Sequence, residues 1–331
     1  MTARYRGGYY GVRNADLFPP AFMKRLQRCS TFADLTAGSG QFPYRVMREL
    51  EMPVALNDRC YYAHTLVRAV HMGEAIDASG WALPKPLRGV IGYLADASFF
   101  KGNRAMRGWL DALCAEAEPA LHAAIGKVIL QLMTFRMMTW SNITPQKDPV
   151  RRLTPKMLKP RVERALERLA GFADALPANV RRQSHAYNTD AAVVLRRKPA
   201  WLKGACVYVD PAWPWAEDVA GGNQNPYRLM TYDLSSILLQ EQVRPFTGFW
   251  TRKHGEDAIM AEVASWIEAA FAGGARTFVL CNQDTNFPSP AAGVAWLRRH
   301  RKLKPATIIR LDDHSSAANR AYKTEWAFYE A

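Results

Sequence analysis

Cysteine is scarce in this sequence, and none of its cysteines is placed for metal binding or disulfide pairing. Five cysteines occur among 331 residues, with no Cys-x-x-Cys pair and no histidine at ligand spacing. Structural zinc sites and small disulfide-linked domains depend on such spacings. The pattern predicts reduced, mostly buried thiols in a cytosolic protein, and it predicts no metal site. The five are Cys29, Cys60, Cys114, Cys206 and Cys281.

Long apolar runs are also missing. No stretch approaches the roughly 20 apolar residues that a helix needs to cross a bilayer. The first residues include Arg4, Tyr5 and Arg6, whereas a signal sequence has a basic region followed by an apolar one. We therefore expect a soluble, cytoplasmic protein that has no membrane partner.

Acidic residues are too few to balance the basic ones. Lysine and arginine together number 44, while aspartate and glutamate number 30, which gives a net charge of +14. Such an excess favours a polyanionic partner, and nucleic acid is the natural candidate. A basic surface that serves only solubility is the alternative interpretation.

Two strand and helix units open the chain. Residues 31–50 are typical of a strand, a glycine-rich turn and a helix, and residues 53–72 repeat a strand and a helix. Two such units in succession predict an α/β fold with a doubly wound sheet, in which ligands bind beyond the carboxyl ends of the strands. The same alternation returns later, with strands predicted at 207–209, 276–283, 306–311 and 324–330.

A helical region interrupts this alternation. Between about residues 77 and 182 the strand pattern is lost, and basic clusters accompany helical periodicity. In residues 156–172, Val162, Leu166 and Leu169 recur at helical spacing, which predicts an amphipathic helix with a basic face. We predict a main domain formed by residues 1–76 and 183–331, with a mainly helical insert at 77–182.

The glycine-rich turn after the first strand is the first candidate binding site. Gly38 and Gly40 let the backbone approach a ligand, because glycine has no side chain in the way and accepts positive φ. Asp58 follows the second strand, where a carboxylate can accept both hydroxyls of a ribose. No Gly-Lys-Ser/Thr follows the turn, so a nucleoside is a better candidate than a nucleoside triphosphate.

The segment Val-Tyr-Val-Asp-Pro-Ala-Trp at 207–213 is the second candidate. Chemistry on an adenine amine needs an acceptor for the amino hydrogens, a backbone carbonyl on a rigid turn, and an aromatic face for an extruded base. Asp210 can supply the acceptor, Pro211 and Ala212 the turn, and Trp213 the aromatic face. The alternative is a strand that ends in an Asp-Pro turn, with tryptophan packed in a core.

In their order along the chain, these segments resemble the Dam-like family of adenine-specific DNA methyltransferases. The basic, aromatic and glycine motif of that family matches residues 4–11, and its cofactor loop matches residues 34–40. Its acidic ribose motif matches 56–58, the acid that meets the cofactor adenine matches Asp190, and its catalytic tetrapeptide matches 210–213. A target-recognition insert precedes the tetrapeptide in the family, as it does here.

The resemblance implies a Rossmann-like sheet that uses S-adenosylmethionine to methylate the exocyclic amine of adenine in double-stranded DNA, with the base flipped out and no metal. Ala212 departs from the proline of the family tetrapeptide, and Tyr9 from its usual lysine. Loss of catalysis, action on RNA, or transfer of a different group are therefore the alternatives, and a partner endonuclease stays an open question. The implied catalytic residues are Asp210, Pro211, Ala212 and Trp213. The implied cofactor residues are Tyr5, Gly8, Tyr9, Asp34, Gly38, Gly40, Asp58, Asp190 and Asp210.

The basic part of the insert is predicted to contact DNA phosphates. A solvated helix face is the alternative for any one of these residues. The residues are Arg151, Arg152, Lys156, Lys159 and Arg161.

Overall fold

The computed structural model describes residues 18–74, 124, 155–211, 213–214, 254–313 and 322–331, with the side chains of 155–159, 312–313 and 322 left aside. These residues fall into two compact units. The first contains residues 60–74, 124 and 155–176, and the second contains residues 18–59, 177–211, 213–214, 254–313 and 322–331.

Seven strands and eight α-helices make up the described part of the chain. A short 3-10 turn at Ala200–Leu202 precedes the fourth strand. In chain order the elements are α1 (Pro20–Leu26), β1 (Phe32–Asp34), α2 (Gln41–Leu50), β2 (Val54–Asn57), α3 (Tyr61–His71), α4 (Pro155–Asp174), α5 (Ala178–Arg182), β3 (His185–Tyr187), α6 (Ala191–Arg196), β4 (Cys206–Val209), α7 (Gly255–Ala272), β5 (Thr277–Gln283), α8 (Pro290–Arg301), β6 (Thr307–Asp313) and β7 (Tyr322–Glu330).

The second unit is built on one mixed sheet with the strand order β3-β2-β1-β4-β5-β7-β6. Strands β1 to β5 pair in parallel, and β7 runs antiparallel to both β5 and β6. The predicted α/β class is confirmed, and the antiparallel pairs are formed by the last strands of the chain. The chain order reverses between β1 and β4, and in doubly wound sheets a ligand crevice lies outside the carboxyl ends of the strands at such a reversal.

One face of this sheet is covered by aromatic side chains. Phe18 stacks on Phe42 of α2 with ring centroids 3.4 Å apart, and Phe22 of α1 meets Phe328 of β7 edge-to-face at 5.0 Å. Aromatic pairs in such geometries stabilise a core beyond the area they bury, by about 0.5–1.5 kcal/mol each. The cluster consists of Phe18, Phe22, Phe32, Phe42, Tyr208, Trp326 and Phe328.

The opposite face is mostly aliphatic and is covered by α6, α7 and α8. Val207, Val209 and Leu280 from the central strands are buried there against Ile259 and Val263 of α7. Each such side chain contributes roughly 1.5–3 kcal/mol when it leaves water. Since both faces are covered, the central strands are apolar throughout and only their ends carry polar groups.

The first unit contains the amphipathic helix that the sequence predicts at 156–172. Helix α4 runs from Pro155 to Asp174 and packs against α3. Its buried residues Val162, Leu166 and Leu169 follow the predicted spacing, while Arg161 and Arg164 are exposed. The proposed boundaries of the insert stay a prediction.

Candidate active site

Three neighbouring parallel strands end at one edge of the sheet, and each end is tied to the next. The amide of Leu35, after β1, donates to the carbonyl of Tyr208 on β4 at 3.0 Å. The amide of Ala37 donates to the carbonyl of Asn57 at the end of β2 at 2.9 Å. The loop after β1 is therefore held between the ends of its two neighbours.

The glycine turn in this loop needs glycine at two positions. Gly38 has φ 53° and Gly40 has φ 69°, which is the left-handed region that most side chains avoid. Gly40 immediately precedes α2, and no side chain caps the start of that helix. The turn therefore brings bare backbone and the positive end of a helix to the edge of the sheet.

Asp58 lies beside this turn, as the sequence predicts for a ligand-binding pair. Its carboxylate accepts a hydrogen bond from the amide of Gly38 at 2.7 Å, and the carboxyl group is partly exposed. The carbonyl of Asp58 accepts from the side-chain amide of Asn188 at 2.7 Å. A hydroxyl-bearing ligand that reaches the turn therefore meets a carboxylate acceptor there.

Sequence reasoning missed Asn57, which joins three loops of this edge. Its side-chain amide donates to the carbonyl of Leu35 at 3.0 Å, and its side-chain oxygen accepts from the amide of Thr189 at 3.2 Å. The side chain is buried, with 2% exposed. The sequence does offer one signal for this role, since Asn57 is a polar residue at the end of an apolar strand. A buried side-chain amide without partners would be costly, so an asparagine at such a position is expected to hydrogen-bond to neighbouring loops.

Asp190 begins α6 and is already engaged by two groups. Its carboxylate accepts from the amide of Ala192 at 2.7 Å, which caps the helix, and it forms an ion pair with Arg59. A carboxylate has about four lone-pair positions, so acceptor capacity remains for a ligand donor. Arg59 directly follows Asp58 in the loop after β2, so its ion pair with Asp190 connects that loop to the start of α6.

Asp34 and Asp210 end the two strands that flank the reversal of the sheet, and Thr36 links them. The carboxylate of Asp34 accepts from the amide of Thr36 at 3.1 Å, and the hydroxyl of Thr36 accepts from the amide of Asp210 at 2.7 Å. Burial raises the pKa of Asp34 well above its usual range, and the negative charges of Asp210 and Asp58 add to that effect. Asp34 therefore resists ionisation.

Asp210 lies next to Cys281, because Val209 of β4 pairs with Leu280 of β5 in the register. Burial raises the pKa of Asp210 to about 6, and a hydrogen bond with the Cys281 side chain opposes this rise. The Cys281 thiol also hydrogen-bonds with the Tyr208 side chain. The carboxyl group of Asp210 is thus hydrogen-bonded to Cys281, which is in turn hydrogen-bonded to Tyr208. The sequence does not reveal these hydrogen bonds, since the three residues come from two strands.

Trp213 is packed inside the domain. Its side chain is 5% exposed, its indole N–H donates to the carbonyl of Cys281 at 2.9 Å, and its ring belongs to the aliphatic core. Its backbone amide donates to the carbonyl of Pro211 at 2.8 Å, which closes a tight turn. In this arrangement Trp213 anchors the turn after β4, and its ring offers no open face to a base.

The loop between β5 and α8 holds the same turn from the other side. The amide of Phe287 donates to the carbonyl of Pro214 at 2.7 Å. The buried side chain of Asn282 donates to the carbonyl of Pro288 at 3.0 Å and accepts from Asn286 at 3.0 Å. The position of Asp210 is thereby fixed by two loops and one strand.

Some predicted residues lie outside the described part of the chain. Lys156 and Lys159 are on helix α4, whose backbone alone is described at those positions, and Arg161 on the same helix is exposed. The residues outside the described ranges are Tyr5, Gly8, Tyr9, Arg151, Arg152 and Ala212.

Two general tests apply to the described residues. Within those ranges, no three or more histidine, cysteine, aspartate or glutamate side chains are grouped so that they could hold a metal ion. No helix among the same residues combines the length and apolar character that crossing a membrane requires.

Comparison with models of known protein families, with curated proteins and with solved structures found no match to this chain.

Proposed function

We propose that this chain is an S-adenosylmethionine-dependent methyltransferase that acts on the exocyclic amine of adenine in DNA. The observation that carries the proposal is the convergence of four acidic side chains and a glycine turn on one edge of the sheet. These groups come from distant parts of the sequence, and two of them, Asp34 and Asp210, follow the strands that flank the reversal of strand order. We call Asp34, Asp58, Asp190 and Asp210 the acidic edge.

The acceptors and charges of the acidic edge suit this cofactor. Asp58 beside the Gly38 turn can accept the two hydroxyls of a ribose. The cofactor carries a sulfonium and an ammonium group, and the carboxylates of Asp58 and Asp210 attract a cation and repel a polyphosphate. The positive charge of Arg59 is balanced by Asp190, with which it is paired, so it does not cancel the charges of Asp58 and Asp210. The finer assignment of the fold, a Rossmann-like methyltransferase sheet, belongs to the same proposal.

The protein would then supply orientation and hydrogen bonds. When bound, the cofactor supplies a methyl group on a positively charged sulfur. Asp210 accepts a hydrogen bond from the adenine amine, and the carbonyl of Pro211 keeps a second lone pair for the other amino hydrogen. With both amino hydrogens held by these acceptors, the nitrogen lone pair would be free for the methyl group that the cofactor would supply, and Asp210 would take the proton that the amine loses. Alignment of this kind can lower a barrier by about 7–11 kcal/mol.

Asp210 is suited to this role in its ionised form. The carboxylate accepts hydrogen bonds, whereas the protonated acid competes as a donor. With a pKa of about 6, Asp210 is mostly ionised at neutral pH and still basic enough to take the proton that the amine loses. Trp213 serves the reaction through the turn it anchors, so an aromatic face for the flipped base has to come from another residue.

DNA is the expected substrate because of charge. The chain has a net charge of +14, and α4 exposes Arg161 and Arg164 on its polar face. Lys156 and Lys159 lie on the same helix, and Arg151 and Arg152 precede it in sequence. Phosphate contacts by such residues give affinity that falls with salt.

A mass spectrum of nucleosides tests the proposal most directly. DNA and RNA from cells that express the protein are digested and compared with those from cells that express Asp210→Asn. We expect N6-methyladenine in DNA with the native protein and none with the variant. Unmodified DNA and RNA from expressing cells would contradict the proposal, and a modified adenine of another mass, or one found in RNA, would redirect it.

A DNA-binding protein without catalysis is the second candidate, and the burial of Trp213 favours it, since no stacking face remains on that residue. Calorimetry separates the two candidates. Binding of S-adenosylmethionine supports the enzyme, and salt-dependent DNA binding without cofactor affinity supports the second candidate.

A further inference from the structure

Helix α8 ends in the densest group of positive charges among the described residues of the second unit. Residues 298–304 read Arg-Arg-His-Arg-Lys-Leu-Lys, with five lysines and arginines and no acid. All of them except Leu303 are exposed. Cations near a helix C-terminus are stabilised by about 0.3–1 kcal/mol each within the last turn. That effect accounts for one or two of these residues, while five exposed cations in seven positions repel one another.

Few of these charges are neutralised within the protein. Of the cations at 298–304, Arg301 lies 3.6 Å from Glu268. On the adjacent strand β6, Arg310 lies 2.7 Å from Glu325. Within the described part of the chain, Arg298 and Arg299 form no ion pair. Their guanidinium groups are therefore available to an external anion.

These arginines border a groove. The groove lies between α8 and β6, encloses about 580 Å³, and has Arg298, Arg299 and Arg310 along it. Val294 and Ile308 form an apolar floor, and Glu325 is the single acidic residue. We call this feature, defined by Arg298, Arg299, Arg310, Val294 and Ile308, the α8 groove.

We propose that the α8 groove binds the phosphate backbone of a nucleic acid, separately from the acidic edge. An open groove with several arginines fits an extended polyanion, because guanidinium groups bind phosphate oxygens in pairs and the apolar floor can receive the sugars. This inference deepens the proposed function by adding a DNA contact outside the catalytic centre, and it does not require catalysis.

The position of α8 gives the distance of that contact. The helix begins just after the loop that holds Pro214, at the same edge as Asp210. It then runs away from that edge, and Arg298 and Arg299 follow its first residue by eight and nine positions, which is roughly 12–14 Å at about 1.5 Å per residue. At about 3.4 Å per base pair, Arg298 and Arg299 would meet phosphates about four base pairs from a base held at Asp210.

The test uses the full-length double variant Arg298→Gln/Arg299→Gln and a labelled 30-base-pair duplex of mixed sequence. Affinity is measured by fluorescence anisotropy between about 50 and 300 mM salt. Loss of two phosphate contacts should weaken binding by roughly 10- to 100-fold at 0.1 M salt and reduce the slope of log K against log salt by about 1.8. Circular dichroism and thermal melting verify that the variant is folded.

The matched control is Arg196→Gln/Arg197→Gln, a second exposed arginine pair at the end of a helix, α6. It removes the same charge and the same helix-end interaction. We expect less than about a threefold loss of affinity from it. Equal losses from both pairs would overturn the proposal, since they would report net charge alone. No loss and no change of slope with the α8 pair would overturn it as well.

Two further measurements distinguish nucleic-acid binding by the groove from lipid binding and from the proposed methyl transfer. If the α8 variant keeps its DNA affinity but loses binding to vesicles containing phosphatidylserine, the groove is a lipid surface and the proposal fails. Methyl transfer is measured separately on the native protein. Groove-dependent DNA binding without any transfer would sink the proposed function and leave this inference standing, whereas transfer with an unaffected α8 variant would do the reverse.

Discussion

The acidic edge and the α8 groove are two charged regions of the same unit, and their surroundings differ as much as their sign. The carboxylates of the edge are buried or partly buried, and burial raises the pKa of both Asp34 and Asp210. The arginines of the groove are exposed. Interactions between charges are strong where water is excluded and are screened by salt where it is not. The edge is therefore suited to chemistry and the groove to salt-dependent binding.

The largest expected effect comes from Asp210→Asn. The substitution keeps the size of the side chain and removes the anionic acceptor, so methyl transfer should fall by about 10³-fold or more. DNA affinity and its salt dependence should stay as in the native protein, because the groove and α4 are untouched. Single-turnover transfer and anisotropy on the same preparation check both halves. A variant with transfer within tenfold of native would show that the edge does not hold the reacting amine.

The same variant should not lose stability, which distinguishes a functional carboxylate from a structural one. Because the pKa of Asp210 in the folded protein, about 6, lies above its usual value of 3.8, ionisation opposes folding. That cost is absent below about pH 3.8 and fully present above pH 6. Asp210→Asn should therefore melt roughly 2 °C higher than native at pH 7.5, with no difference near pH 4. A lower Tm at pH 7.5 would assign the carboxylate a structural role.

Local sequence patterns were sufficient for most of this fold. Apolar runs that end in an acid predict β1, β2 and β4, since such runs must be buried on both faces and leave polar groups only at their ends. Parallel strands put those ends on one edge, which is why Asp34, Asp58 and Asp210 could be expected to meet. The glycine turn follows from the same pattern.

Other features depend on tertiary packing and were out of reach. Whether Trp213 faces a ligand or the core depends on α7 and on the carbonyl of Cys281, neither of which is near in sequence. The contact between Cys281 and Asp210 depends on the register of β4 and β5. The α8 groove needs a strand beside the helix, although its run of cations is visible in the sequence.

A smaller effect should follow from Asp58→Ala, which sharpens the comparison within the acidic edge itself. The substitution removes the proposed ribose acceptor and the bond from the Gly38 amide. Hydrogen bonds to charged groups contribute about 1.5–3 kcal/mol, so the Kd for S-adenosylmethionine should rise roughly 10- to 100-fold. DNA affinity should not change. Isothermal titration calorimetry measures the first quantity and anisotropy the second.

Asp174→Ala is the control for this prediction. Asp174 is an exposed carboxylate at the end of α4, so its loss changes net charge by the same amount and removes no group of the turn. We expect cofactor affinity within about twofold of native. If both variants raise the Kd for S-adenosylmethionine equally, the effect of Asp58→Ala comes from the change in net charge, and the glycine turn is not the ribose site.

The smallest effect concerns Cys281, and it tests whether the hydrogen bonds behind Asp210 tune the edge. The hydrogen bond from the Cys281 side chain lowers the pKa of Asp210 against the effect of burial. Cys281→Ala removes it, so the acid limb of the rate profile should move upward from about pH 6. The rate at pH 6 should fall roughly threefold, with none of that loss at pH 8.5, where Asp210 is ionised in both proteins. Cys281→Ser retains a donor and should keep the limb in place. An equal loss of rate at every pH in both variants would mean that Cys281 only packs the strand, because a packing defect does not depend on the protonation of Asp210.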